Sequence, residues 1–280
     1  MNKRTSILIL LFCILFLVGC QKSIQHYKKA VEEILLPSKF MAFDEKCLLL
    51  GEQIDAYLAE GSETEIQPIV EEMEILLDQF TQLQADLDRL PVTDPYISDL
   101  HHLASLAVLS YQELLNESDE FVQTLSILSQ MEADIETVHS DLMNLILSGT
   151  PTTLEYNQAL TDFTTVHEEE LKLFDLEVAT SYLSSKTIKV AKLKEALGTA
   201  DQTIKEMETI QTYSETDVQV NGLLVQLYER IYEMYQTIIA HQEIIELTNG
   251  YEDFSEYLQG PLNKASLEVL AWEKAVGIVN

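Results

Sequence analysis

Glycine and proline are scarce, 9 and 6 in 280 residues. That excludes collagen-like and low-complexity chains. It also argues against a turn-rich all-β fold, which needs turn residues at regular, short spacing. Basic residues are scarce as well: 17 Lys and Arg stand against 47 Asp and Glu, a formal net charge of −30. Nucleic-acid binding needs cations against phosphates, so it is excluded as an expectation. There is no convincing run of β-branched residues at a period of two. Several motifs of chemistry are missing too: no Gly-rich phosphate loop, no Gly-x-Ser-x-Gly, no Cys-x-x-Cys and no calcium loop of alternating Asp/Asn around a central Gly. His167-Glu168-Glu169-Glu170-Leu171 begins like a zinc-protease helix, but Leu171 stands where the second histidine is required. The expectation is a protein that is not an enzyme. What is abundant is apolar side chain, 46% of the chain, too much for a disordered acidic tail and enough for a sizeable core.

The densest run of it lies at the N-terminus. Lys3 and Arg4 precede an unbroken run of 12 apolar residues, Ile7 to Val18. A bilayer span takes roughly 20 residues, whereas a signal-peptide core takes roughly 7–15. The run closes in Leu17-Val18-Gly19-Cys20. This resembles the lipobox of bacterial lipoproteins, and the resemblance covers the leader alone. It implies cleavage between Gly19 and Cys20, with a covalent diacylglycerol and further acyl chains on the new N-terminal Cys20. At roughly 0.8 kcal/mol per buried methylene, two or three chains anchor a protein stably. The expected location is therefore the cell envelope: the outer leaflet of the plasma membrane, or an outer membrane where there is one, since Gln21 follows the cysteine rather than the retaining Asp. Cys13 leaves with the leader and Cys20 takes the lipid. Cys47 then stands alone in an apolar stretch, so no intrachain disulfide is expected, and a buried, inert thiol is.

The remainder reads as all-α, because apolar residues recur at three- and four-residue spacing throughout. The pattern predicts helices over 23–36, closed by Pro37, and over 38–59. Ser62 and Glu65 suggest a capping box for a helix that ends at Leu90-Pro91. Asp94-Pro95 opens the next, to 115. Others follow over 118–147, from Thr150-Pro151 to about 183, over 199–212, 216–248, 251–257 and 261–276. Short connections make sequential helices antiparallel neighbours. The expected architecture is an elongated antiparallel bundle or two stacked bundles: signal peptide 1–19, lipidated N-terminus and first helix 20–37, acidic bundle 38–149, second bundle 150–280. A faint repeat at an offset of 123 pairs Asp94 with Asp217.

Charge and aromatic placement supply the candidate sites. From Cys47 to Leu171 there are 26 acids and one base, Arg89. Such a surface suits a cationic envelope partner. Lys22, Lys28 and Lys29 lie beside the lipid with no acid among residues 21–30, a collar for anionic headgroups. Lys186, Lys189, Lys192 and Lys194 form a second basic island. His101, His139, His167 and His241 fall on or beside the apolar stripes of four predicted helices. Glu136 and His139 have the Glu-x-x-His spacing that puts both on one helix face, so a metal- or haem-binding bundle is one reading. Tyr228, Tyr232 and Tyr235 share a helix face, which suits a partner surface or the pocket of a ligand-binding sensor. The leading expectation is a lipid-anchored, non-catalytic interaction or scaffold domain, with no cofactor beyond its lipid.

Overall fold

The computed structural model describes residues 22–60, 65–182, 188–248 and 253–279. It is all-α, with no strand among the described residues. Helix α1 comprises residues 22–33, followed by α2 (Leu36–Glu60), α3 (Gln67–Asp88) and α4 (Pro95–Leu147). Next come α5 (Leu154–Val166), α6 (Glu168–Leu171), a 3₁₀ turn (Lys172–Phe174) and α7 (Leu176–Ser181). The chain finishes with α8 (Val190–Glu208), α9 (Glu215–Ala240), α10 (Gln242–Thr248) and α11 (Phe254–Val276).

Several helix limits differ from the sequence reading, each for a local reason. Pro37 does not close α1 but sits in the first turn of α2, where its missing N–H has no intrahelical partner to lose. The break falls instead at Leu35, in the left-handed region at φ 55°. Ser62 of the expected capping box lies outside the described residues, and α3 starts after Ile66 with no side-chain cap. The helices expected over 94–115 and 118–147 are one helix of 53 residues, since neither Gly nor Pro interrupts them. α5 is capped by Thr153 rather than opened by Thr150-Pro151. α8 begins at Val190, not near 199, and carries Gly198 mid-helix on an open face. The stretch expected over 216–248 breaks at His241, and α11 runs straight through Pro261.

The described residues form two compact units, one within Met1–Asp119 and Asp253–Asn280, the other within Glu120–Glu252. The apolar pattern puts a division at Gly149–Pro151, whereas the two units divide within α4 and the last helix belongs to unit 1.

Unit 1 is built on α2, which packs against both α3 and α11. Each helix of the unit's core contributes aromatic side chains to one cluster: Phe40 and Phe43 from α2, Phe80 from α3, Tyr111 from α4 and Trp272 from α11. Phe40 stacks on Tyr111 at 5.9 Å and meets Trp272 edge-on at 6.0 Å, while Phe43 meets Tyr111 edge-on at 5.2 Å and tilts against Phe80 at 6.1 Å. Such pairs add about 0.5–1.5 kcal/mol each beyond burial. Gly51 brings α2 close to the start of α11: a Cβ there would lie 2.9 Å from Leu258 Cδ1 and 3.1 Å from Ser255 Cα. One turn on, the Asp55 carboxylate accepts from the Phe254 and Ser255 N–H groups at 2.5 and 3.1 Å. Helix α11 is thus capped by another helix, and its own Asp253 supplies no side-chain cap.

Unit 2 pairs α8 with α9 and sets α6 against α8 and α7 against α9. At one end Leu142, Tyr156 and Val220 form a buried cluster with Leu145, Leu160, Ile210, Leu223, Leu224 and Leu227 packed on it.

The helix–turn–helix α3–α4 recurs as α8–α9, with equal turn lengths: Asp88 and Pro95 bound one turn, Glu208 and Glu215 the other. Asp94 caps the first through the Ile97 N–H at 3.0 Å, and Ser214 caps the second through the Asp217 N–H at 3.1 Å. The burial pattern repeats in phase, with Leu87, Ile97, Leu100, Tyr111 and Leu114 matched by Met207, Asp217, Val220, Ile231 and Met234. Asp94 therefore corresponds to Ser214, and Asp217 to Ile97, an offset of 120 rather than 123.

Candidate functional site

The densest polar construction in unit 2 centres on Asp217, in the first turn of α9. Three donors converge on its carboxylate: the Thr153 N–H on Oδ1 at 2.9 Å, the Thr153 hydroxyl on Oδ2 at 2.7 Å and the Tyr213 N–H on Oδ2 at 3.0 Å. The side chain is wholly enclosed. Burial alone would raise its pKa, but the bonds from Thr153 and Tyr213, with Ser214 beside them, outweigh that and hold the carboxyl at about 2. A chain of bonds continues inward. The Tyr156 hydroxyl donates to Asn221 Oδ1 at 3.2 Å, and Asn221 Nδ2 donates to the Met207 carbonyl at 3.2 Å. Burial, with the Asp217 charge, pushes the Tyr156 hydroxyl up to about 12.

This network ties the α4–α5 loop to the α8–α9 turn. Around it stand exposed apolar side chains: Leu154 is 83% exposed, Leu147 75%, Val218 56%, Ile146 54% and Tyr213 50%. Segments 141–162 and 206–219, which supply them, hold seven acids and no Lys or Arg. Of these acids Asp217 is buried, and Glu206 pairs with His167 Nε2 at 3.1 Å.

Unit 1 has its own polar seam between α4 and α11. Ser110 donates to Glu268 at 2.8 Å, Lys264 faces Glu113 at 3.9 Å and the Tyr257 hydroxyl donates to Glu117. Ser110, Glu113, Leu114, Glu117 and Lys264, with Gly260-Pro261, line an open groove of about 250 Å³. Deeper, Asp44 accepts from the Tyr111 hydroxyl at 2.6 Å and the Ser266 hydroxyl at 2.8 Å. Burial raises its carboxyl more than these bonds lower it. Cys47 is buried one turn away, its thiol pushed up to about 12 by burial and by the Asp44 charge.

The histidines are dispersed. His101 belongs to unit 1, where its Nδ1 lies 3.3 Å from the Tyr27 hydroxyl; burial lowers its pKa against the pull of Asp88. Burial pushes Tyr27 up to about 12, with a small lowering from the Trp272 indole. The indole N–H, though enclosed, makes no hydrogen bond of good geometry among the described residues. In unit 2, Glu136 and His139 are exposed on α4. His167 terminates α5, its ring tilted against Phe163 at 4.6 Å. His241 terminates α9, its N–H bonded to the Thr237 carbonyl at 3.0 Å. Among the described residues no three His, Cys, Asp or Glu side chains gather closely enough to hold a metal ion.

The tyrosines divide likewise. Tyr235 is wholly buried, edge-on to Tyr182 at 5.8 Å, and its hydroxyl finds no partner among the described residues. Tyr228 is half-buried and stacks on Phe174 at 4.5 Å. Tyr232 borders an open groove with Lys205 and Glu229. Tyr228 and Tyr235 thus form part of the packing between α9 and the segment from the 3₁₀ turn to residue 182.

Of the basic groups, Lys28 donates to the Gly277 carbonyl and faces Glu32 at 3.9 Å, while Lys29 faces Glu33 at 3.4 Å. Lys186, Gly19 and Cys20 lie outside the described residues. Among the described residues no helix is long and apolar enough to cross a membrane.

The Asp217 centre escaped the sequence reading. Its signal was present: Ser214 followed three residues on by Asp217 has the form of a capping box, and Thr153 is a favoured N-cap residue before the run that opens α5. No protein-family model matches the chain, and no curated protein or solved structure matches it.

Proposed function

We propose that the chain is an envelope lipoprotein, held to a membrane surface by acyl chains on Cys20, whose helical body is a non-catalytic interaction domain. The observation that carries the reading is the leader: Lys3 and Arg4, the 12-residue apolar run and Leu17-Val18-Gly19-Cys20. A second observation supports the non-catalytic part. Four buried or half-buried acids are engaged by the chain's own structural donors: Asp44 by Tyr111 and Ser266, Asp55 by the start of α11, Asp86 by Lys39, Gln82 and Arg89, Asp217 by Thr153 and Tyr213. Acids so occupied brace helices and turns rather than meet a substrate. The surface, by contrast, is left rich in acid and in exposed apolar side chains, the material of partner recognition.

The anchor is tested by metabolic labelling with a radioactive or alkyne fatty acid. Wild-type protein incorporates label, and Cys20→Ser gives an unlabelled, slower-migrating precursor. Unchanged incorporation in Cys20→Ser overturns the assignment.

A further inference from the structure

We infer that the loop end of unit 2, around Thr153 and Asp217, is a docking surface for a cationic protein segment, one that presents large apolar side chains flanked by Lys or Arg. The inference rests on the interaction-domain reading and gives it a location.

Three observations converge. The first is exposure: Leu147, Leu154, Val218, Ile146 and Tyr213 are all at least half exposed at this one end. Leu154 is the chain neighbour of Thr153, Tyr213 itself bonds Asp217 through its N–H, and Val218 is next to Asp217. Ile146 and Leu147 follow Leu145, which packs on the same terminal core cluster as Tyr156 and Val220. Scattered apolar residues need no explanation, but a group at one end marks a contact surface. The second is rigidity. The three-donor Asp217 carboxylate and the Tyr156–Asn221–Met207 bonds lock both loops from within. A surface ordered beforehand loses little entropy on binding. The third is charge. Asp141, Glu155, Asp162, Glu208 and Glu215 are exposed around the apolar group, and the two segments hold no Lys or Arg. That rim selects the occupant. An anionic membrane surface would be repelled, and a second copy docking by the same end would set acid against acid. A basic segment meets the rim with opposite charge and the centre with apolar side chains.

The test places a photoreactive benzoylphenylalanine in the full, anchored chain in cells, at Leu154, at Val218 and, as a reference, at Ile75 on α3 of unit 1. Expected are protein adducts at 154 and 218, at least tenfold weaker at 75. The crosslinked peptide of the partner should carry apolar residues beside Lys or Arg. Adding Glu155→Lys and Glu215→Lys should cut adduct yield at least tenfold, with helical circular dichroism retained at the assay temperature; equal yield overturns the charge argument. Adducts to lipid, or to a second copy of this chain, overturn the proposed occupant. Adducts at 75 but none at 154 and 218 overturn this surface and leave the interaction reading standing, whereas no protein adduct at any of the three positions overturns the surface and counts against that reading too.

Discussion

Thr153 meets Asp217 twice, through its backbone N–H at 2.9 Å and its hydroxyl at 2.7 Å. The same hydroxyl accepts from the Tyr156 N–H at 3.2 Å, so one residue caps α5 and clamps it to the start of α9. Replacing the carboxylate removes an acceptor shared by three donors. Asp217→Asn keeps one acceptor oxygen and turns an NH₂ toward N–H groups. Hydrogen bonds to a charged group contribute about 1.5–3 kcal/mol each, so a loss of about 3 kcal/mol is expected. Denaturant titration read by hydrogen exchange should place that loss in unit 2, with unit 1 amides little changed.

The same carboxylate predicts an acid limb. Its pKa is about 2 in the folded chain against an ordinary 3.8. A group with a lowered folded value stabilises above its unfolded pKa and loses that contribution as pH falls through the folded one. Unit 2 should therefore weaken from about pH 4 down to about pH 2. Asp86, lowered chiefly by its hydrogen bond from Lys39, acts with the same sign in unit 1, whereas Asp44, raised by burial, opposes it. Melting curves across this range should fall less steeply for unit 2 in Asp217→Asn. Parallel curves for variant and wild type would refute the assignment.

Two glycine substitutions should have opposite signs. Gly→Ala within a helix gains up to about 1 kcal/mol from propensity. At Gly198, mid-α8, nothing lies within 4 Å of the place a methyl would take, so Gly198→Ala should gain close to that. At Gly51 the methyl would press on the Ser255 backbone and Leu258. Overpacking costs about 1–3 kcal/mol, so Gly51→Ala should lower the melting temperature. Equal shifts for the two would show that α2 and α11 are not in close approach.

Two buried tyrosines form a second contrasting pair. The Tyr111 hydroxyl donates to Asp44 at 2.6 Å, while that of Tyr235 has no partner among the described residues. Tyr111→Phe should cost about 1–2 kcal/mol, and Tyr235→Phe should be neutral or stabilising. Thermal unfolding of both variants decides it; a Tyr235→Phe loss as large as that of Tyr111→Phe would require a bonded hydroxyl.

The fold class was legible because apolar spacing survives any detail of packing. Boundaries with their own local chemistry, such as Leu90-Pro91 and Asp94-Pro95, were legible too. Others were set by tertiary contact. Nothing at Asn116-Glu117-Ser118 breaks a helix, and Ser118 is buried within an unbroken α4 rather than marking a pause. Gly198 looks like a stop but is simply exposed in mid-helix. The Asp217 centre joins residues 64 apart; the Ser214-to-Asp217 spacing marks a helix start, but nothing local says that Thr153 will enclose that acid. The roles of helix-flank histidines are equally hard to read, since positions such as His167 and His241 also serve to end helices.

Asp55 and Ser255 are 200 residues apart, yet they join α2 to α11. A ribosome adding roughly 5–20 residues per second releases α11 about 10–40 s after α2. During that interval all of unit 2 is made, while the apolar face of α2 that α11 will cover stays open. Unit 2 can therefore be complete before unit 1 closes, and a chain cut short before residue 253 would carry a finished insert inside an unfinished host.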